Sequence, residues 1–195
     1  MTKRITISTL DAMKASGDKF VMITAYDATF ARLASEAGAE TILVGDSLGM
    51  VLQGHETTIP VSLDAMVYHT ECVARAKPRS LIVADLPFMS FSNPDDALHA
   101  STQLMQAGAQ MVKLEGGTWL SDSINRLVER GVPVCAHLGL TPQSVNVFGG
   151  YRVQGRTPKA AKSILADAVE IQDAGASLLV LECIPAELAG DIASK

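Results

Sequence analysis

"TILVGDSLGM", residues 41–50, is an apolar, β-branched run that meets Gly45 and then an acid and a hydroxyl, Asp46 and Ser47. The same ending recurs in "LIVAD" (81–85), "MVKLE" (111–115) and "LLVLE" (178–182). Near-continuous apolar runs of this length fit strands of a parallel sheet covered on its faces. With 20–25 (FVMITA) and 132–137 (VPVCAH), and taking the first as 41–45, they make six strand candidates.

Helical patterns fill the intervals. The stretch 27–37 (DATFARLASEA) puts Phe30, Leu33, Ala34 and Ala37 on one face and stops at Gly38. The stretch 61–77 has Ser62 as an N-cap and ends before Pro78, and 94–107 follows Asn93 as N-cap with Pro94 at its first position. Residues 121–131 and 158–175 repeat the scheme, and a last helix starts near 185–188. "EAGAE", "QAGAQ" and "DAGAS" precede strands two, four and six, each placing a glycine where a helix must close in the left-handed conformation.

Six βα units in series allow a doubly wound sheet or a (β/α)8 barrel. A dinucleotide-binding sheet needs a glycine-rich turn after its first strand, and "TAYDATF" has none. A barrel explains the strand endings, because barrel enzymes draw reactive groups from the carboxyl ends of several strands. Here those ends carry Tyr26 and Asp27, Asp46 and Ser47, Asp85, Lys113 and Glu115, His137, and Glu182. The expected fold is therefore α/β, a (β/α)8 TIM-type barrel in a single domain over 1–195. An eight-unit barrel takes ~250 residues, so this chain is expected to supply six units, with the C-terminal part missing and two strand edges left unpaired.

Sixteen basic residues against 21 acidic ones, a net charge of -5, and no basic cluster argue against a nucleic-acid partner. No apolar run approaches the ~20 residues of a membrane span, and the basic start "MTKR" is followed by no apolar signal region. A cytoplasmic protein is expected. Cys72, Cys135 and Cys183 are odd in number and far apart, and read as small hydrophobes rather than as a disulfide or zinc set.

Asp46, Asp85 and Glu115, converging from three parallel strands, would repel one another, and a hard divalent cation such as Mg2+ relieves that repulsion. The plainer reading of each is an N-cap of the next helix. Lys113 shares a strand face with Glu115 and reads as the partner of a substrate carboxylate, or else of a neighbouring acid. His137 and Glu182 are candidate general acids or bases on the same face, although a lone His137 would be a core histidine and a lone Glu182 a cap.

Taken together, "TAYDATFARLASEAG" (24–38), "LVGDSLGMVLQGHETTIPV" (43–61), "ADLPFMSF" (84–91), "VKLEGG" (112–117), "PVCAHLGLTPQSVNVFGGYRVQGR" (133–156) and "LLVLECIP" (178–185) resemble the ketopantoate hydroxymethyltransferase family. The resemblance spans nearly the whole chain. It implies a Mg2+-dependent barrel enzyme of pantothenate biosynthesis that assembles as a homo-oligomer, commonly a decamer. Its reaction transfers a hydroxymethyl group from 5,10-methylenetetrahydrofolate to 3-methyl-2-oxobutanoate through a metal-stabilised enolate, giving 2-dehydropantoate.

The resemblance assigns Asp46, Asp85 and Glu115 to the metal, and Ser47 and Lys113 to the substrate carboxylate. It places His137 beside the added hydroxymethyl group and makes Glu182 the catalytic base, in a partly apolar setting. Asp46 and Asp85 also count among the substrate-binding residues. The Gly-rich loop 138–156 reads as a water-excluding lid. Members of the family continue further at the C-terminus, with two more βα units. The competing readings are a Mg2+-dependent 2-oxo-acid lyase or mutase of the isocitrate lyase/phosphoenolpyruvate mutase kind, and an inactive fragment that only oligomerises.

Overall fold

A computed structural model describes residues 4–195 of the chain, so Met1–Lys3 of the basic start lie outside it. After α1 (Ile7–Ser16) the order is β1 (Met22–Thr24), α2 (Ala28–Glu36), β2 (Thr41–Val44), α3 (Leu48–Val51), α4 (Leu63–Arg75), β3 (Leu81–Asp85), α5 (Pro94–Gln106) and β4 (Met111–Glu115). It continues with α6 (Ser121–Glu129), β5 (Val134–Gly139), α7 (Val145–Phe148), α8 (Pro158–Asp173), β6 (Leu178–Glu182) and α9 (Ala186–Ala193).

The strands form one six-stranded sheet in the order β1-β2-β3-β4-β5-β6. Every neighbouring pair is parallel. Sequential parallel strands with helical crossovers are the arc of a (β/α) barrel. Among the described residues β1 and β6, at the two ends of the arc, each have a single neighbour.

The two-residue period of the strands sorts their side chains into two cores. Ile42, Val44, Ile82, Ala84, Val112, Leu114, Val134, Ala136 and Leu138 face the helices. The alternate set, Leu43, Leu81, Val83, Met111, Cys135, Leu178 and Val180, faces the concave interior. There it meets Ile5, Ile7, Leu10 and Met13, so α1 plugs the amino end of the arc. Among these residues Cys135 is fully buried, and burial pushes its thiol up to about 12, which fits an inert core cysteine. Cys72, Cys135 and Cys183 are all free.

The helix signals hold at most ends. Ser62 caps α4, and Asn93 caps α5 with proline at the first turn. Gly38, Gly108 and Gly175 follow α2, α5 and α8 with φ of +99°, +112° and +107°.

Three expectations change. Helix α2 buries Ala31, Ala34 and Ser35, while Phe30 and Leu33 are 63% and 51% exposed. Small side chains let this helix lie close on the sheet, and the large ones turn outward. Strand β5 starts after Pro133, which has no N–H for the ladder, and runs to Gly139, so His137 lies inside the strand rather than at its end. Asp27 is the N-cap of α2, its Oδ1 accepting from Thr29 N (2.7 Å) and Phe30 N (2.9 Å), and it faces the helix rather than the interior. Helix α1 has no counterpart in the sequence reading. Its capping box joins Thr6 to Thr9, a pair outside the usual Ser/Thr-to-Glu/Gln signature.

Candidate active site

Strand register assembles the site. Asp85 pairs with Lys113, Glu115 with His137, and Gly139 with Glu182. Each strand thus reaches two residues beyond the point its predecessor pairs with, and the partners spiral across the concave face. Beneath the polar layer lie Val83, Met111, Cys135 and Val180. The polar groups therefore sit on a dry floor.

Asp46, Asp85, Lys113, Glu115 and His137 are all buried. Asp46 N donates to Asp85 Oδ2 (3.1 Å). Lys113 Nζ stands 3.0 Å from Asp85 Oδ1 and 3.6 Å from Glu115 Oε1. It is also 3.2 Å from His137 Nδ1, which lies 3.4 Å from Glu115 Oε1. On the far side His137 Nε2 is 3.3 Å from Glu182 Oε2 without the alignment of a hydrogen bond. The Glu182 side chain is 40% exposed and sits at the rim. That is more open than the partly apolar setting expected of a base.

None of Asp46, Asp85 and Glu115 caps a helix, since the caps of the following helices are other residues. Ser47 begins α3 with no side-chain cap bond, and its hydroxyl instead meets the Tyr26 hydroxyl at 2.9 Å. At Gly45 a Cβ would lie 2.7 Å from Ser47 Oγ, so a side chain there would push the Ser47 hydroxyl from its place. Tyr26 is one of the strand-end groups that the sequence marks, whereas the Gln143 amide is a site group that no periodicity or spacing singles out. Gln143 lies within the family-like segment 133–156, but nothing in that segment distinguishes it from its neighbours.

Electrostatics follow from burial. Burial, with repulsion from Asp85 and Glu115, raises the Asp46 carboxyl to about 7. Burial opposes the charge on Lys113, yet Asp85, Glu115 and Asp46 hold its ammonium well above the ordinary lysine value. Burial also works against ionised Glu115, but the His137 contact and Lys113 outweigh it and lower its pKa. Burial and Lys113 push His137 down, while Glu115 and Glu182 carry it above its ordinary value.

Three carboxylates against one ammonium leave a site that favours a further cation. Asp85 Oδ1 is buried with the Lys113 ammonium, 3.0 Å away, as its near partner, so it is open to another cation once that ammonium moves. Hard carboxylate oxygens suit Mg2+. As the side chains stand, no group of three or more His, Cys, Asp and Glu among the described residues is arranged to hold a metal ion, and Lys113 occupies the space between Asp85 and Glu115. The donor set fits a divalent cation in type and charge, and binding it requires the ammonium to withdraw.

Beside Glu115 opens a cavity of about 700 Å3, lined among others by Trp119, Leu138, Thr141, Phe148, Lys159 and Asp167. Asp167 Oδ1 accepts from Thr118 N (2.9 Å) and Thr118 Oγ1 (2.7 Å). Trp119 stacks on Phe91 with ring centroids 6.0 Å apart. Among the described residues no helix is long and apolar enough to cross a membrane.

A family model described as ketopantoate hydroxymethyltransferase matches residues 4–195. A 3-methyl-2-oxobutanoate hydroxymethyltransferase of Ralstonia pickettii is 56% identical over 190 residues, covering 97% of this chain and 70% of its own length. One of Marinobacter nauticus is 60% identical over 188 residues, covering 96% and 71%. In fold the chain is similar to 2,3-dimethylmalate lyase, a PEP mutase/isocitrate lyase superfamily member. The TM-score is 0.68 at 18% identity, over 96% of this chain and 67% of that one. It is similar too to phosphonopyruvate hydrolase, with TM-score 0.68 at 16% identity, over 90% and 62%.

Proposed function

Because the chain belongs to the ketopantoate hydroxymethyltransferase family, we propose that its concave polar site transfers a hydroxymethyl group to 3-methyl-2-oxobutanoate, giving 2-dehydropantoate in pantothenate biosynthesis. The observation that carries this reading is the buried cluster Asp46, Asp85, Lys113 and Glu115 with His137 and Glu182 beside it. The lyase or mutase reading shares the fold, but the two solved structures named above are 18% and 16% identical, against 56% and 60% for the two hydroxymethyltransferases.

Asp46 and Asp85 would hold Mg2+, with Glu115 beside them. When bound, the ion supplies Lewis-acid polarisation of the substrate's keto and carboxylate oxygens. Lys113 then turns from its carboxylate partners to the substrate carboxylate, and Ser47, held by Tyr26, orients the same group. Glu182 removes the proton from C3, and His137 bears on it through Nε2 at 3.3 Å. Water adds to the methylene carbon of 5,10-methylenetetrahydrofolate, both of its C–N bonds break, and tetrahydrofolate leaves with its two nitrogens protonated. C3, carrying the electron pair left behind, attacks the formaldehyde so released, and the resulting alkoxide takes the proton held by Glu182.

The cavity beside Glu115 is of the right size and position for that donor, with Trp119 and Phe148 as aromatic surfaces and Asp167 and Lys159 as charged groups. The loop 138–156, which forms part of its wall, would close it from water. The exposed apolar side chains Phe30, Leu33 and Tyr68 suit a homo-oligomer, with a decamer as the expected form. The test is product formation. The protein with Mg2+, 3-methyl-2-oxobutanoate and the folate donor is expected to give ketopantoate, and none when folate is withheld. Turnover of the oxo acid without folate would favour the lyase reading, and no turnover or binding would favour an inactive oligomerising fragment.

A further inference from the structure

Gln143 is 6% exposed and lies in the one-turn 3-10 helix Pro142–Ser144, after β5. Its side-chain nitrogen donates to Asp46 Oδ2 (2.8 Å) and to Leu86 O (2.9 Å). Its backbone N–H donates to Glu115 Oε2 (3.0 Å). Both side-chain partners are acceptors only, so the amide must present its NH2 end to them. One residue thereby ties together the ends of β2, β3 and β4 from a loop that follows β5. Each carboxylate has one oxygen engaged by Gln143. The other Glu115 oxygen, Oε1, faces Lys113 and His137.

We propose that Gln143 is a positioning residue that fixes which oxygens of Asp46 and Glu115 are turned to the cation, and that seats the 141–148 loop in the same act. The proposal rests on the reading of Asp46 and Glu115 as groups that serve a divalent ion. Partners that orient metal ligands in this way are commonly worth 10- to 100-fold in metal affinity. The loop also carries Thr141, Ser144 and Phe148 into the wall of the neighbouring cavity. Presentation of the carboxylates and closure of the second-substrate cavity are therefore one event: with the loop lifted, Asp46 loses its only side-chain donor among the described residues.

Gln143→Met keeps the volume and removes both side-chain donors. Gln143→Asn keeps the donors one methylene short and serves if the first variant folds poorly. Calorimetry of Mg2+ with 3-methyl-2-oxobutanoate is expected to give about 10-fold weaker binding or more in either variant, with kcat recovering at saturating Mg2+. A separate readout needs no metal. Trypsin cleavage after the exposed Arg152 and Arg156, just beyond the loop, is expected to run several-fold faster in the variants.

Wild-type Mg2+ affinity in the variants, or wild-type cleavage rates, would overturn the proposal. A lowered thermal midpoint with both readouts unchanged would mean that Gln143 only packs, and overturns it equally. If the wild-type protein binds no Mg2+ with the oxo acid, the functional reading fails instead, and the cleavage rates alone decide whether Gln143 seats the loop.

Discussion

Lys113 Nζ lies 3.0 Å from Asp85 Oδ1, and both side chains are 4% exposed. Among the described residues the ammonium is the cation that faces Asp85, Glu115 and Asp46 together, while His137 faces Glu115 alone of the three. Removing one member of a buried pair leaves the other charge uncompensated, at a cost of about 3–5 kcal/mol. Lys113→Met is therefore expected to lower the thermal midpoint sharply in metal-free buffer. Millimolar Mg2+ should restore more of the midpoint in the variant than it adds to wild type, since the ion takes over the neutralisation. Melts with and without Mg2+ check this, and equal Mg2+ effects in the two proteins would refute it.

Asp46 makes the metal-free fold sensitive to pH. Its carboxyl ionises near 3.8 in a free chain and at about 7 in the folded one. The folded state then holds the proton more tightly, so stability falls as pH rises from about 4 to about 7 and levels off above that, by up to ~4 kcal/mol. Asp46→Asn is expected to flatten this part of the profile. Because a cation displaces the Asp46 proton, wild-type Mg2+ affinity should rise with pH over the approach to 7. Midpoints and Mg2+ titrations at several pH values check both.

Glu182 stands at the end of β6, paired with Gly139 and next to His137 Nε2. Glu182→Gln removes the base while keeping the shape. It is expected to retain Mg2+-dependent binding of the oxo acid and to lose exchange of its C3 proton with solvent by about 100-fold or more. Proton NMR in deuterated water measures the exchange. Exchange at the wild-type rate would remove Glu182 from the role. Asp85→Ala, by contrast, should abolish the Mg2+-dependent binding itself.

The strand-end acids were legible in the sequence because two patterns agree there. Apolar runs locate the strands, and an ionisable group two residues past an inward-facing apolar one marks the same face, as Val83 does for Asp85 and Met111 for Lys113. Register then brings the groups together without further information, since parallel neighbours in sequence order can stagger in few ways. What the sequence hides is contact across loops. Gln143 reaches Asp46 over 97 positions, and no period links them. The α2 face departs from its sequence pattern for a related reason: large apolar residues suggest burial, but a helix lying close on a sheet buries small ones, and Phe30 turns out to the surface. From the sequence Lys113 reads as the partner of a substrate carboxylate or of a neighbouring acid. Without substrate, its nearest charges are Asp85 and Glu115, and it takes those.

Gly139 tests how closely the end of β5 positions the base. Its φ is +91°, and a Cβ there would run into the backbone oxygen of Glu182 and lie 2.6 Å from Ile184 Cγ2. That same Glu182 oxygen accepts from Leu140 N at 2.9 Å, so the clash falls on the segment that carries the proposed base. Gly131, at the end of α6, has φ +81° and nothing within 4 Å of its Cβ position. Both glycine-to-alanine changes carry the conformational cost of a left-handed residue, about 1–3 kcal/mol. Only Gly139→Ala must also shift the Glu182 backbone. The expected result is a lowered thermal midpoint in both variants, larger in Gly139→Ala, with slowed C3 proton exchange in Gly139→Ala alone. Equal exchange rates in the two variants would mean that the Gly139–Glu182 approach does not position the base.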